Sequence, residues 1–306
     1  MATSKITLNP QRSRVPSSPL KWAGTALWVA VLLLFALFFL VPLFWLLLAP
    51  TKADDVLILR PPLSFGSFET FAQTARNLLE YNGGQIWTWA RNSLFYCVTS
   101  IALTLLLCIP AGYALATAKF TLRRPILILT LVTLVMPRVV LVLPIFLEMK
   151  AVGLVNNPWG VILASSFFPA GVYLLYLHFA TSLPKDILNA GRIDGANDWH
   201  LFYSIALPLA KPMIALVAFF SFVATWNEYF LVATLLYDDR LYNLPIGLAN
   251  LMSSGSLTPA LAGNFSPIKR PEVALAGLIL VLPVILIFLA TQRAVRPDGL
   301  SGGEKG

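Results

Sequence analysis

Charge is what this chain has least of. Only 12% of its 306 residues are Asp, Glu, Lys or Arg, while 58% are hydrophobic and the mean hydropathy is +0.76. So little polar surface cannot cover a water-soluble body of this size, and a soluble globular fold is excluded. No G-x-x-x-x-G-K-[ST] stretch occurs, so the chain has no phosphate cradle of that type. It also lacks a Ser-His-acid set, a His-x-x-x-His pair and a carboxylate pair aimed at one pocket, which leaves an enzyme without residues to carry it. His178 and His200 have no Cys or carboxylate companions at metal-ligand spacing. The only two cysteines, Cys97 and Cys108, lie in one apolar run. Eleven residues of helix separate them by about 16 Å, too far for a disulfide, and both read as apolar packing. The sequence pI is about 9.6, yet the bases are dispersed over short loops without interleaved aromatics, which argues against nucleic acid.

Long apolar runs fill the chain instead. Six reach the ~20 residues that a helix needs to cross a hydrocarbon core of about 30 Å. They are roughly Trp22–Leu48, Ser93–Ala116, Ile126–Leu147, Trp159–Ala180, Met213–Leu235 and Val273–Gln292. Their apolar character is continuous and does not alternate at period two, so the fold class is all-α: a polytopic membrane protein with six transmembrane helices, not a barrel. The first run exceeds the ~7–15 residues of a signal-peptide core and reads as a retained helix, bent at Pro42. With both termini inside, the inner segments hold thirteen bases (Lys5, Arg12, Arg14, Lys21, Lys119, Arg123, Arg124, Lys185, Arg192, Lys211, Arg293, Arg296 and Lys305) against five acids. The outer segments hold eight of each, so the whole formal charge of +8 lies on the inner side, as the positive-inside rule requires.

One inner segment is patterned beyond what a connector needs. In Lys185–Pro208 a helical face carries Lys185, Asn189 and Arg192, and another carries Ile187, Ala190 and Gly191. Gly195 supplies a break, and Asn197 or Asp198 caps a second short helix. Trp199, Phe202, Tyr203 and Ala206 then form an i, i+3, i+4, i+7 stripe up to Pro208. The product is a helix-turn-helix knob. Elsewhere, the outer loop Pro50–Arg91 is long enough to form a small cap, with Arg76–Tyr81 helical. The turn Lys119–Arg124 is short and makes the second and third spans antiparallel neighbours. The segment 238–272, rich in Gly, Ser, Pro and Asn, reads either as a loop ordered on contact or as a specificity insertion.

The run Ala190-Gly191-Arg192-Ile193-Asp194-Gly195-Ala196, followed by Ile205-Ala206-Leu207-Pro208, resembles the EAA motif of the membrane subunits of ABC importers. Gly112, Tyr113 and Ala114–Phe120 also look like the end of the second span in sugar-importer permeases. The tail Gly299–Gly306 is similar to the short C-terminal signature of carbohydrate-importer permeases, the maltose-type MalG group. The resemblance runs from about Trp22 to the end, and it implies a type I (MetI-like) permease fold. Residues 1–21 would be a cytoplasmic segment, 22–292 the six-helix domain with its EAA coupling loop at 181–208, and 293–306 a cytoplasmic tail.

The same resemblance implies a multi-pass subunit of a bacterial inner membrane, working by alternating access. Its partners would be two ABC ATPase subunits that bind ATP and Mg, a second MalF-like permease, an extracytoplasmic solute-binding protein and a sugar. Asn189, Ala190, Gly191, Arg192, Asp194, Gly195, Ala196, Asp198 and Pro208 would couple it to the ATPase. Two positions depart from the pattern: Asn189 stands where Glu is usual, and Gly191, at ~1 kcal/mol of helix propensity, stands where Ala is usual.

Arg138 and Glu228 are ionisable residues inside spans, where an unpaired charge costs a few kcal/mol, so each should face the bundle interior, water or a partner. They read either as a translocation route that forms or exchanges a salt bridge, or as one ion pair locking two helices. Tyr173, Trp226, Asn227 and Tyr229 add the aromatic and amide groups that sugars bind. Two alternatives stay open: an importer permease for a non-sugar solute, and an ATP-independent secondary transporter, which would need inverted repeats and broken helices that the sequence does not display.

Overall fold

The structure is a computed structural model that describes residues 19–254 and 268–294. Among these residues the fold is helical and contains no strand. Helix α1 (Pro19–Leu48) is apolar on every side, runs through Pro42, and is exposed along most of its length. A polypeptide of this kind is stable only where lipid or another apolar chain surrounds it. The centre is α3 (Gln85–Thr117), which packs mainly on α7 (Pro169–Ser182), α11 (Lys211–Trp226) and α6 (Pro158–Ser166). Backbones meet where α3 crosses α7. A Cβ on Gly112 would lie 2.7 Å from Leu175 Cβ and 2.9 Å from the Tyr176 nitrogen, so only glycine fits. Polar side chains bind across the seam with α6: Ser100 and Thr104 donate to the carbonyls of Ile162 and Ser166. Cys97 and Cys108 are free thiols buried in this core.

The spans are less continuous than their composition implies. The third, expected as one helix over Ile126–Leu147, is two: α4 (Arg123–Val135) and α5 (Arg138–Ala151), bent by 113° at Met136–Pro137. Proline forces the residue before it out of the helical region, and Met136 is extended at φ −71°, ψ 126°. The fourth span changes helix at Phe167–Phe168, again before a proline. The fifth, expected over Met213–Leu235, stops at Trp226 and resumes as α12 (Phe230–Leu235). Among the described residues, four helices are long and apolar enough to cross a membrane, or up to six if each of two bent pairs counts as one span.

At the end of the bundle where α3 begins, α2 (Phe68–Glu80) forms the cap expected of the loop after α1 and extends well beyond Arg76–Tyr81. Ser67 opens it by accepting from the Thr70 N–H at 3.0 Å. Lys52, 1% exposed, spends its ammonium on the carbonyls of Pro61 and Pro62, at 2.9 Å each. Arg270, at the start of α14 (Arg270–Ala294), grips the Asp54 carboxylate, and Glu272 accepts from Asn77 of α2. Within 238–272, Leu244–Ser254 forms helix α13; residues 255–267 lie outside the described residues. So do the tail Gly299–Gly306 and the bases Lys5, Arg12 and Arg14.

Candidate functional site

At the opposite end of the bundle the polar segment folds as a knob. Helix α8 (Lys185–Ile193) is closed by a left-handed Gly195 at φ +85°. The Ala196 N–H donates to the Gly191 carbonyl at 2.9 Å and the Gly195 N–H to that of Arg192 at 3.1 Å, which satisfies the free carbonyls of the last turn. Two residues later Asn197, not Asp198, caps α9 (Asp198–Leu201), its Oδ1 accepting from the His200 N–H at 2.8 Å. A reversal this tight requires a left-handed residue and then a cap in immediate succession. Arg192 and Asp198 pair across the two helices at 3.2 Å, both substantially exposed, so the bond adds at most ~1 kcal/mol.

Leu188, Leu201, Phe202, Ala206 and Ala210 bury the knob against Leu175, Phe179 and Leu183. This is a correction to the expected stripe, because Trp199 and Tyr203 stack on each other and stay exposed. The buried face centres on Leu201 and Phe202, about 100° or more from Trp199 and Tyr203, and the π-helical stretch Phe202–Ala206 carries it on to Ala210 beyond α10 (Leu207–Leu209). Gly191 also has a packing reason: an added Cβ would sit 2.6 Å from Cδ2 of the buried Leu201, whose side chain would have to shift. Asn189, Ala190, Arg192, Asp194, Gly195 and Asp198 are left on the exposed side.

Within the bundle, the breaks in three spans meet. A cavity of about 110 Å³, room for several waters, is lined by Thr133, Met136, Arg138, Ser165, Phe167 and Glu228 among others. Arg138 Nη1 stands 3.9 Å from Glu228 Oε2, and the side chains are 54% and 16% exposed. Glu228 does a second job, since its Oε1 accepts from the Leu231 N–H at 3.1 Å and so opens α12. Asn243, a buried residue that sequence reasoning passed over, holds the same break by donating to the Glu228 carbonyl at 2.7 Å. Ser165 was missed as well; its hydroxyl is buried beside the cavity without a protein partner.

The other residues read as pathway candidates lie away from this lining. Trp226 is 4% exposed, stacks on Phe222 and donates to the Leu280 carbonyl, so it locks α11 to α14. Asn227 donates to the Val223 carbonyl of its own helix, Tyr173 lies against Tyr176, and Tyr229 packs on Phe230.

Apolar spans, broken helices around a small, largely apolar cavity that holds an Arg–Glu pair, and a projecting helical knob define a membrane-embedded transport subunit. Residues 108–298 match the family described as the binding-protein-dependent transport system inner membrane component, and the chain belongs to it. It is 34% identical over 224 residues to the arabinooligosaccharides transport system permease protein AraQ of Halalkalibacterium halodurans, covering 73% of this chain and 76% of that one. Over 268 residues it is 31% identical to the diacetylchitobiose uptake system permease protein NgcG of Streptomyces coelicolor, covering 87% and 84%. A chain of a bacterial ABC transporter involved in the import of the acidic polysaccharide alginate superposes with a TM-score of 0.75 at 23% identity, over 90% of this chain and 98% of that one. The fold is therefore the MetI-like permease fold, and the relatives are transport permeases, not enzymes.

Proposed function

We propose that this chain is one of two permeases in an ATP-driven importer of an oligosaccharide or related sugar, with its knob in the cytoplasm. The observation that carries this reading is the knob itself: one face is buried in the bundle, and the other exposes small and polar residues together with Ile193, Trp199 and Tyr203, with none of the described residues upon it. Such a shape suits a cleft in a second protein. In this reading Asn189, Ala190, Gly191, Arg192, Asp194, Gly195, Ala196 and Asp198 meet an ATPase subunit that binds ATP and Mg. The π-helical stretch and Pro208 pass its motion to α11 and the cavity, in alternating access. A solute-binding protein delivers the sugar at the capped end, and both termini lie on the knob's side of the membrane. The sugar class rests on the relatives' substrates.

A cysteine at Asp194 tests it. The native thiols are buried, so labelling reports the new site alone. Crosslinking from position 194 to an ATPase subunit in the assembled complex, altered by ATP, is the expected result; an ATPase that never crosslinks there ends the proposal. One observation favours the ATP-independent alternative: the broken helices it requires, hidden in the sequence, are present. Uptake by the reconstituted chain alone, without nucleotide, would support that alternative.

A further inference from the structure

Beside the knob lies a cleft of about 410 Å³, within the usual range of ligand pockets, between the α3–α4 turn and α8. Its lining includes Lys119, Arg123 and Arg192 together with Thr117 and Asn189, and no acidic residue. Arg192 already has Asp198 as a partner. The Arg123 guanidinium lies over the Tyr176 ring, 6.0 Å from its centroid, an arrangement that holds the cation in place without neutralising it. The floor is apolar, formed by Phe179, Leu183 and Leu188. Cations around an apolar floor, at the point where two spans leave the bilayer, match the chemistry of a phosphate group carried on an apolar or compact body.

We propose that this cleft binds a phosphate-bearing anion, either the headgroup of an anionic phospholipid or a soluble phosphate, and so ties α8 to the α3–α4 turn. The proposal rests on the knob facing the cytoplasmic leaflet. It has a consequence for coupling, because the ligand would hold Asn189 and Arg192, on the knob, to Lys119 and Arg123, on the bundle. Occupancy would then stiffen the joint through which the ATPase acts.

The assembled transporter in nanodiscs gives the test, with hydrogen exchange of residues 185–196 as readout. Phosphatidylglycerol in a phosphatidylcholine background should protect this segment. A Lys119→Gln/Arg123→Gln variant should need more of it, at ~5-fold per cation removed. Inorganic phosphate or pyrophosphate added to pure phosphatidylcholine discs distinguishes the sources: protection there assigns the site to a soluble anion, and protection by the lipid alone assigns it to the membrane. Absence of protection by any of these probes, or protection undiminished in the double variant, overturns the proposal. Neither residue belongs to the exposed face assigned to the ATPase, so the Asp194 crosslink should survive in the variant. Loss of the site and failure of the coupling assignment can thus be told apart.

Discussion

Replacing Glu228 separates two jobs done by one carboxylate. Oε2 faces Arg138 at 3.9 Å and Oε1 accepts the Leu231 N–H at 3.1 Å. Glu228→Gln keeps the shape and an amide oxygen for the cap but removes the charge, whereas Glu228→Ala removes both. Two unit charges 3.9 Å apart interact by about 4 kcal/mol at an effective dielectric of ~20. Arg138 is 54% exposed, however, and half-exposed pairs retain ~1 kcal/mol or less. Losing an N-terminal cap costs a further ~1 kcal/mol. The expected order is therefore a small loss for Glu228→Gln and ~2 kcal/mol for Glu228→Ala, read by thermal unfolding in detergent through tryptophan fluorescence. Adding Arg138→Gln to Glu228→Gln should cost less than Arg138→Gln alone, as a double-mutant cycle requires of partners. In proteoliposomes of the assembled transporter, a pair that favours one transport state by ~1 kcal/mol shifts the balance of states about fivefold when removed, and uptake should change with it. If Glu228→Gln and Arg138→Gln each match the wild type in uptake and in melting, the pair contributes to neither route nor stability. Equal losses for Glu228→Gln and Glu228→Ala would show that the cap at Leu231 is not made.

Gly191→Ala gains ~1 kcal/mol of helix propensity but overpacks Leu201 by ~1–3 kcal/mol, so the knob should exchange hydrogen faster, and Leu201→Ala in the same chain should partly restore it. Gly112→Leu should prevent α3 from seating on α7, seen as loss of folded protein after membrane extraction, with Gly112→Ala intermediate. The hydrogen bond from Arg270, and then its charge, hold the Asp54 carboxyl below the usual carboxylate range against the opposing effect of burial. A depressed folded value means that the stabilisation, about 1 kcal/mol, is complete above the unfolded pKa of ~4 and disappears as pH falls through the folded one. Proteolysis of residues 52–66 should accelerate below about pH 4 in the wild type and show no such step in Asp54→Asn. Cysteine at Val140, an exposed position of α5, should be protected from a lipid-soluble maleimide in the assembled transporter and labelled in the chain alone.

The knob was legible because it is built from residues with strong local meaning. Gly195 fits the left-handed closure and Asn197 the cap, and both signals lie in polar sequence where nothing masks them. Its buried face was not legible, since aromatic bulk drew the stripe to Trp199 and Tyr203 whereas Leu201 and Phe202 centre the buried face, and a π-helical stretch then shifts it to Ala210. The breaks in the spans were hidden for another reason. In lipid a helix can be apolar all round, so periodicity carries no phase information, and proline alone does not decide. Pro42, Pro110, Pro144 and Pro283 lie inside continuous helices, whereas Pro137 and Pro169 open new ones. What distinguishes Pro137 is the charge beside it. Arg138 needs a polar surrounding, and only a broken span brings it to a second broken span that carries Glu228.

That pairing also bears on the number of chains around the route. A guanidinium at membrane depth costs a few kcal/mol when it faces hydrocarbon, even on lenient scales. Here Glu228 covers one side of Arg138, yet half of the side chain remains exposed, and α4 and α5 on that side bury none of their residues. Val135, Val139 and Leu143 are likewise more than half exposed there, so the face is too apolar for open water and too charged at one point for lipid. A second protein surface, apolar around a polar centre, satisfies both demands at once. On the proposed pairing of two permeases, the cavity of about 110 Å³ would be one wall of a larger chamber to which the second permease contributes the other.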